Sequence, residues 1–304
     1  MGHIIEIKEL YKSFGDVKAV NGISFNVNEG ELFAFLGENG AGKSTTISII
    51  CGRLLKDSGE VFVNGKKQMG NTDSIKRDIG VVFQNSVLDK QLTVEDNLKS
   101  RAALYGIHGK DFKNRIDELS KLLDLEPLLP RTLSKLSGGQ KRRIDIARAL
   151  IHKPKILILD EPTTGLDPQT RKTVWNVVKH LQTEEGMTVF LTTHYMEEAA
   201  NADNVIILDS GKIAAEGTPH ELKNRYSGDF ITFYNIDEDS VKTLGKPYEA
   251  VKDGFKAAVK NTAEATELIL KAPNLFVDYE ITKGGMDDVF LTVTGKKIDG
   301  GEDK

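Results

Sequence analysis

Three clusters of residues in this chain have the types and spacing for phosphoryl chemistry. In Gly37-Glu38-Asn39-Gly40-Ala41-Gly42-Lys43-Ser44, followed by Thr45, the glycines free the backbone so that consecutive N–H groups can turn toward phosphate oxygens. Lys43 adds a point charge for the β and γ phosphates, and Ser44 adds a hydroxyl suited to Mg²⁺. The second cluster is the acidic pair Asp160 and Glu161. Asp160 is expected near the metal, and Glu161, one residue further, is expected to orient and partly deprotonate a water attacking the γ phosphate. The third is Leu136-Ser137-Gly138-Gly139-Gln140, whose serine and glycines can open a helix as a second anion-binding end. Taken singly, each has a plain structural reading: a glycine turn, a surface Asp-Glu turn before Pro162, a helix cap. Their occurrence together outweighs it.

Such residues act only if elements hold them. Glu31 to Leu36 is an apolar run that reads as a buried strand, and Thr45 to Ile50 can wind on as a helix, so the glycine loop lies between strand and helix. Ile156-Leu157-Ile158-Leu159 reads as a parallel strand covered on both faces, delivering Asp160 and Glu161 at its carboxyl end, where α/β sheets bind ligands. Two more apolar runs, Ile79 to Phe83 and Val189 to Thr193, end beside Gln84 and His194. After Gly139, a stripe of Ile144, Ala147, Leu150 and Ile151 at helical spacing continues the third cluster. Alternation in Ile5-Glu6-Ile7 and Ile23 to Val27, with Val61-Phe62-Val63 before Asn64-Gly65, predicts an antiparallel lobe containing a hairpin. Thr93-Val94-Glu95-Asp96 predicts a capped helix through Leu98 and Ala102, and a charged helix spans roughly 111 to 124.

At Leu136 to Gln140, joined to the preceding glycine loop and the following Asp160-Glu161, the chain resembles the nucleotide-binding subunit of an ATP-binding cassette (ABC) transporter. The resemblance implies an α/β fold of the P-loop NTPase type, with a mostly parallel sheet, an antiparallel β lobe and a helical subdomain. It implies ATP as the nucleotide, with residues 37, 39 to 45 and the third cluster around it, and Mg²⁺ held by Ser44, Asp160 and Gln84. Two cassettes are then expected to pack head to tail, each ATP lying between the glycine loop of one chain and Ser137, Gly138, Gly139 and Gln140 of the other. Gln84 resembles the glutamine at the metal and water whose loop faces the membrane partner. His194, at the end of an apolar strand, resembles the switch histidine that contacts the γ phosphate; with Lys43, Gln84 and Glu161 it completes the expected catalytic set. Asp167, in Gly165-Leu166-Asp167, resembles the residue that reports to the opposite site. Thr164 stands where the family often has serine and keeps the hydroxyl. Phe14 resembles the aromatic that stacks on adenine, although Tyr11 lies three residues away and either ring could be core. Val87, Leu88 and Leu104 are candidates for a docking face for a membrane permease, or for core.

Composition sets the frame. The chain has 304 residues, enough for one large domain and one small one at about 150 per domain. Residues 1 to 223 are expected to form the cassette, with its helical subdomain at about 85 to 145. Residues 224 to 296 are expected to form a small α+β domain, and 297 to 304 a disordered tail. The charge supports a boundary: 11 basic and 15 acidic side chains follow residue 223, against 30 of each before it. In the second part, Phe230 to Tyr234 reads as a strand, Glu249 to Val259 as a hairpin, Thr262 to Leu270 as a capped helix and Leu275 to Ile281 as another strand. Met286 to Leu291 resembles the terminal segment of cassettes paired with drug or polymer exporters of the daunorubicin-resistance type. A net charge of −4 argues against a nucleic-acid partner. A single cysteine, Cys51, excludes an internal disulfide and agrees with a reducing compartment. No apolar run reaches membrane-spanning length and no secretory leader is apparent. The expectation is a cytoplasmic subunit, peripheral on the inner membrane face, that drives export of a drug, lipid or polymer through a separate permease. A soluble cassette that remodels ribosomes or DNA, an import ATPase, and a regulatory module without turnover remain the alternatives.

Overall fold

The computed structural model describes residues 2–68 and 72–295. The expected tail, 297 to 304, lies outside the described residues. The chain divides into two compact units, one running up to His194 and taking in Ala202–Ile213, the other made of Tyr195–Asn201 and everything from Ala214.

The first unit begins with two long strands, β1 (His3–Phe14) and β2 (Val17–Asn28), which pair antiparallel; β4 (Ser58–Val63) joins the other edge of β1 and β5 (Lys66–Lys67) follows it. The expected hairpin is present. Asn64 and Gly65 both take positive φ, 49° and 70°, the conformation a two-residue turn between right-twisted strands requires.

Beside this lobe runs a parallel sheet of β3 (Leu32–Leu36), β6 (Ile79–Val82), β7 (Ile156–Asp160), β8 (Thr188–Thr193) and β9 (Asn204–Asp209), in the order β9-β3-β8-β7-β6. β3 and β8 are buried along their whole length and β7 up to Asp160, so burial on both faces accounts for their unbroken apolar runs. Phe25 of the lobe and Phe33, Phe35 and Phe190 of the sheet form one aromatic cluster, with centroids 5.2 to 6.4 Å apart. Register pairs Leu36 with Thr193 and Asp160 with Thr192, which aligns the carboxyl ends of β3, β8 and β7 in one row. The functional candidates leave the sheet from that row.

The described α-helices of the unit are α1 (Lys43–Ile50), α2 (Thr72–Asp78), α3 (Val94–Ala103), α4 (Gly109–Leu123), α5 (Gly138–Leu150) and α6 (Pro168–Thr183). Thr93 caps α3 by accepting from Asp96 N, as its spacing predicts. The charged α4 buries Phe112, Ile116, Leu119 and Leu123 on one stripe, which explains why a helix so polar overall is held in place.

In the second unit, α7 (Met196–Ala199), β10 (Lys212–Gly217, which enters from the first unit) and α8 (Pro219–Tyr226) precede β11 (Asp229–Tyr234), α9 (Glu238–Lys242), β12 (Tyr248–Val251), β13 (Gly254–Val259), α10 (Thr262–Lys271) and β14 (Tyr279–Lys283). The β-α-β-β-α-β order gives an antiparallel sheet β12-β13-β11-β14, a split βαβ arrangement. Ile231, Phe233, Ala257, Val259, Ala265 and Leu268 form its core. The strand expected over Leu275 to Ile281 is displaced: Pro273–Leu275 forms a 3₁₀ turn and pairing starts only at Tyr279. Phe276 turns inward instead, its ring 5.0 Å from Phe233 and 5.2 Å from Tyr279, and core filling at that point outweighs strand propensity. The apolar segment near the end is the helix α11 (Met286–Thr294), burying Met286, Val289 and Phe290.

Candidate active site

The glycine loop connects β3 to α1, and its conformation demands glycine. Gly40 and Gly42 have φ of 86° and 107°, and a side chain on Gly42 would run into the carbonyl of Ala19 on β2. Gly42 is also the N-cap of α1, with no side chain bonded to the first turn and no acidic residue in it. The N–H groups of that turn are therefore available to an anion, and the helix dipole favours one. Lys43 is buried and folds back over the loop, donating to the carbonyls of Gly37 (2.6 Å) and Glu38 (3.0 Å). Burial pulls its pKa down, while Glu161 and Asp160 oppose that shift. Asn39 and Ser44 are exposed, Ala41 is buried and Thr45 is half-buried.

Asp160 ends β7 and is held by Thr192 of β8, whose Oγ1 donates to Oδ1 at 2.6 Å. Ser44 Oγ lies 3.3 Å from the same oxygen. A hydroxyl and a carboxylate so close are hard oxygen donors, and their chemistry fits a Mg²⁺ that takes its other ligands from phosphates and water.

Glu161 is the convergence point. Its N–H donates to Thr192 O and Oγ1, both at 3.1 Å. Its Oε2 accepts from Gln84 Nε2 (3.1 Å) and Thr164 Oγ1 (3.2 Å) and lies 3.4 Å from His194 Nδ1, while Oε1 faces Lys43 Nζ at 3.6 Å. The His194 contact, helped by Lys43, lowers the carboxyl pKa against the opposing effect of burial. The backbone of Glu161 is left-handed, with φ of 46°, a strained state for a residue of this size. Three strand ends thus place Gln84, Asp160, Glu161 and His194 around the mouth of the glycine loop.

The third cluster is built separately. Ser137 caps α5 by accepting from Gln140 N (3.3 Å), and Gln140 Oε1 accepts from Ser137 N (3.0 Å), a reciprocal capping box. Side chains on Gly138 and Gly139 would meet Leu166 and Thr170, so α5 starts directly against the segment where Asp167 caps α6 by accepting from Thr170 N at 3.0 Å. Ser137 to Gln140 and Asp167 are thereby neighbours. Their described contacts are with each other's segments and not with the glycine loop.

The aromatics differ in availability. Tyr11 packs over Gly22 and donates its hydroxyl to Glu9 (3.3 Å), whereas Phe14 is 51% exposed at the tip of the β1–β2 hairpin, with Lys12 Nζ over its ring at 5.5 Å. Of the docking candidates, Val87 (57%) and Leu104 (74%) are exposed, but Leu88, at 8%, is core. A cavity of ≈ 430 Å³ is lined by Arg53, Phe83, Val87, Arg101, Tyr105 and Arg148, Phe83 being the residue before Gln84.

One contributor carries no signal in the sequence. Arg142, in the basic run after Gln140, is 7% exposed, and its guanidinium donates to Phe83 O (2.6 Å), Glu161 O (2.7 Å) and Pro162 O. Thr164 likewise contributes a hydrogen bond to Glu161 that its position before Gly165 did not announce.

The chain is similar to known proteins along most of its length. The family described as ABC transporter matches residues 20–164. The Nod factor export ATP-binding protein I of Rhizobium etli is 35% identical over 309 residues, covering 97% of this chain and 94% of that protein. The linearmycin resistance ATP-binding protein LnrL of Bacillus subtilis is 37% identical over 276 residues, covering 90% and 85%. The dimeric post-hydrolysis state of the ATP-binding cassette MJ0796, bound to ADP and Pi, superposes with a TM-score of 0.65 at 31% identity over 70% of this chain and 98% of that one. No helix among the described residues is long and apolar enough to cross a membrane. This chain belongs to the ABC transporter ATP-binding proteins, the ATP-hydrolysing subunits of those transporters.

Proposed function

We propose that this chain powers export through a separate permease, hydrolysing ATP with Glu161 as the base. The observation that carries the catalytic reading is the convergence of Lys43, Gln84, Thr164 and His194 on one carboxylate beside the glycine loop. The export direction draws on the relatives named for export and resistance, and on the Met286 to Leu291 segment.

In this reading the backbone N–H groups of residues 39 to 45 cradle the phosphates, and Lys43 leaves the Gly37 and Glu38 carbonyls to meet the β and γ phosphates. Ser44 and Asp160 would hold Mg²⁺, with Gln84 at its edge, and the ion would neutralise charge developing across the phosphates. Glu161 holds the attacking water, and His194 keeps the carboxylate ionised while facing the γ phosphate. The lipid, drug or polymer cargo never touches this chain. Ser137, Gly138, Gly139 and Gln140 act on the nucleotide of a second cassette in a two-fold head-to-tail pair, with Asp167 beside that interface. The dimeric relative supports the pairing.

Phe14 is assigned to adenine. Phe14→Ala is expected to weaken ATP binding roughly tenfold, the scale of one lost base–aromatic stack, with kcat largely kept. Tyr11→Ala should do less, since that ring is engaged with Gly22. A titration with fluorescent ATP decides, and a larger effect at Tyr11 would reverse the choice.

The permease is assigned to the cavity at Phe83, whose lining mixes Arg53, Lys76 and Arg101 with Val81, Phe83 and Val87 and so suits an amphipathic cytoplasmic segment. Extracted from membranes in detergent, the tagged chain should bring down an integral membrane protein. Val87→Arg, which fills the groove and adds like charge, should reduce that recovery at least about tenfold while ATP turnover of the isolated chain persists. Undiminished recovery would place the dock elsewhere.

A further inference from the structure

The strands β6 and β7 are adjacent and parallel, with Val82 beside Leu159, and both stop where the chemistry begins. Beyond a strand end the carbonyls lose their ladder partners, and a buried carbonyl must find another donor. Phe83, Glu161 and Pro162 all turn theirs to the guanidinium of Arg142. Only a planar fork can serve three acceptors from two loops; a lysine ammonium on a flexible stem cannot hold them at fixed angles. The residue with the left-handed backbone, Glu161, is thus one of the three whose carbonyls the arginine holds.

We propose that Arg142 is a positioning residue that sets Glu161 and Gln84 relative to one another and ties both to the helix that Ser137 caps. It acts through the backbone, gripping the carbonyls of Glu161, of Pro162 and of Phe83, the residue before Gln84. Arg142 sits on α5 little more than one turn from Ser137, and α5 is a single uninterrupted helix. Any tilt of the Ser137 end, such as contact with a second cassette's nucleotide would impose, therefore moves Arg142 and with it the carboxylate. A displacement of about 1 Å at a reacting group is enough to cost roughly 10²-fold in rate. The proposal rests on Glu161 being the base.

The test uses the full chain and separates rate from affinity. Arg142→Gln should lower kcat by roughly 10- to 10²-fold, with the dissociation constant for ATP within about twofold, because the nucleotide's own contacts are untouched. Arg142→Lys should recover part of the loss. In a Glu161→Gln background, Arg142→Gln should change the residual rate less than about twofold, since a residue acting through Glu161 has nothing left to position. Should Arg142→Gln not fold, the Arg142→Lys pair, with and without Glu161→Gln, carries the same comparison. Wild-type turnover in the arginine variants, loss of ATP affinity in step with rate, or an undiminished further loss in the Glu161→Gln background would each overturn the proposal. Wild-type turnover in Glu161→Gln alone would instead overturn the base assignment, and this inference with it.

Discussion

Glu161→Gln is expected to cut steady-state ATP turnover by at least about 10²-fold, the scale of a lost general base, while ATP still binds. The amide keeps the size of the side chain and can still meet Gln84 and Thr164. What disappears is the negative charge that faces Lys43 at 3.6 Å and His194 at 3.4 Å. A dimer trapped with ATP should therefore accumulate, visible by size-exclusion chromatography. The pH behaviour follows in sign. Because the Glu161 pKa is held below its ordinary value of 4.5, the carboxylate stays ionised through the neutral range and any acid limb it causes lies below that value. Its stabilising contacts are likewise fully present above 4.5 and are lost as pH falls through the lowered pKa, so melting curves of the wild-type and glutamine chains should converge at the acid end. Unchanged hydrolysis in the glutamine variant would refute the assignment.

Lys43→Ala and Ser137→Arg should each leave the chain inactive, with losses on the order of 10²- to 10³-fold for a removed preorganised phosphate contact. Mixed, they should regain activity. In a head-to-tail pair one composite site joins the intact Lys43 loop to the intact Ser137 helix, and the other site carries both lesions. The recovered rate should rise with protein concentration, because assembly precedes turnover. A direct readout uses Cys51→Ser as background, with new cysteines placed beside Ser44 and Gly138. Cross-linking between chains that appears only with ATP is the expected result. Cross-linking confined within one chain would eliminate the paired arrangement.

The elements carrying the site were legible because burial on both faces of a parallel sheet leaves a mark that side-chain type alone reveals. Leu32 to Leu36, Ile156 to Leu159 and Thr188 to Thr193 are continuous or nearly continuous apolar runs, and the residues that follow each of them meet in space. Asn64-Gly65 was equally plain, since few residue pairs accept two positive φ values in succession. Arg142 was not. In Lys141-Arg142-Arg143 it has the composition of a solvated helix face, and only the turn of α5 shows that the middle residue points inward while its neighbours remain accessible. The backbone state of Glu161 had no signal either, because a glutamate is not a residue one expects at positive φ. Leu88 and Phe276 illustrate a third limit: whether an isolated apolar side chain near a loop fills a core or faces outward depends on neighbours contributed from distant segments, Asn97 holding the Asp89 turn in one case and Phe233 receiving the ring in the other.

The left-handed backbone at Glu161 sets evolution and chemistry at odds. Glycine would occupy that φ without steric cost and asparagine with little, whereas glutamate carries a penalty of roughly 1 to 2 kcal/mol there. At position 161 a change to glycine or asparagine would therefore relieve backbone strain while removing the carboxylate assigned to water activation. A lineage released from the need for turnover would lose this side chain early, and a cassette that still binds ATP but no longer cuts it would be the natural relic.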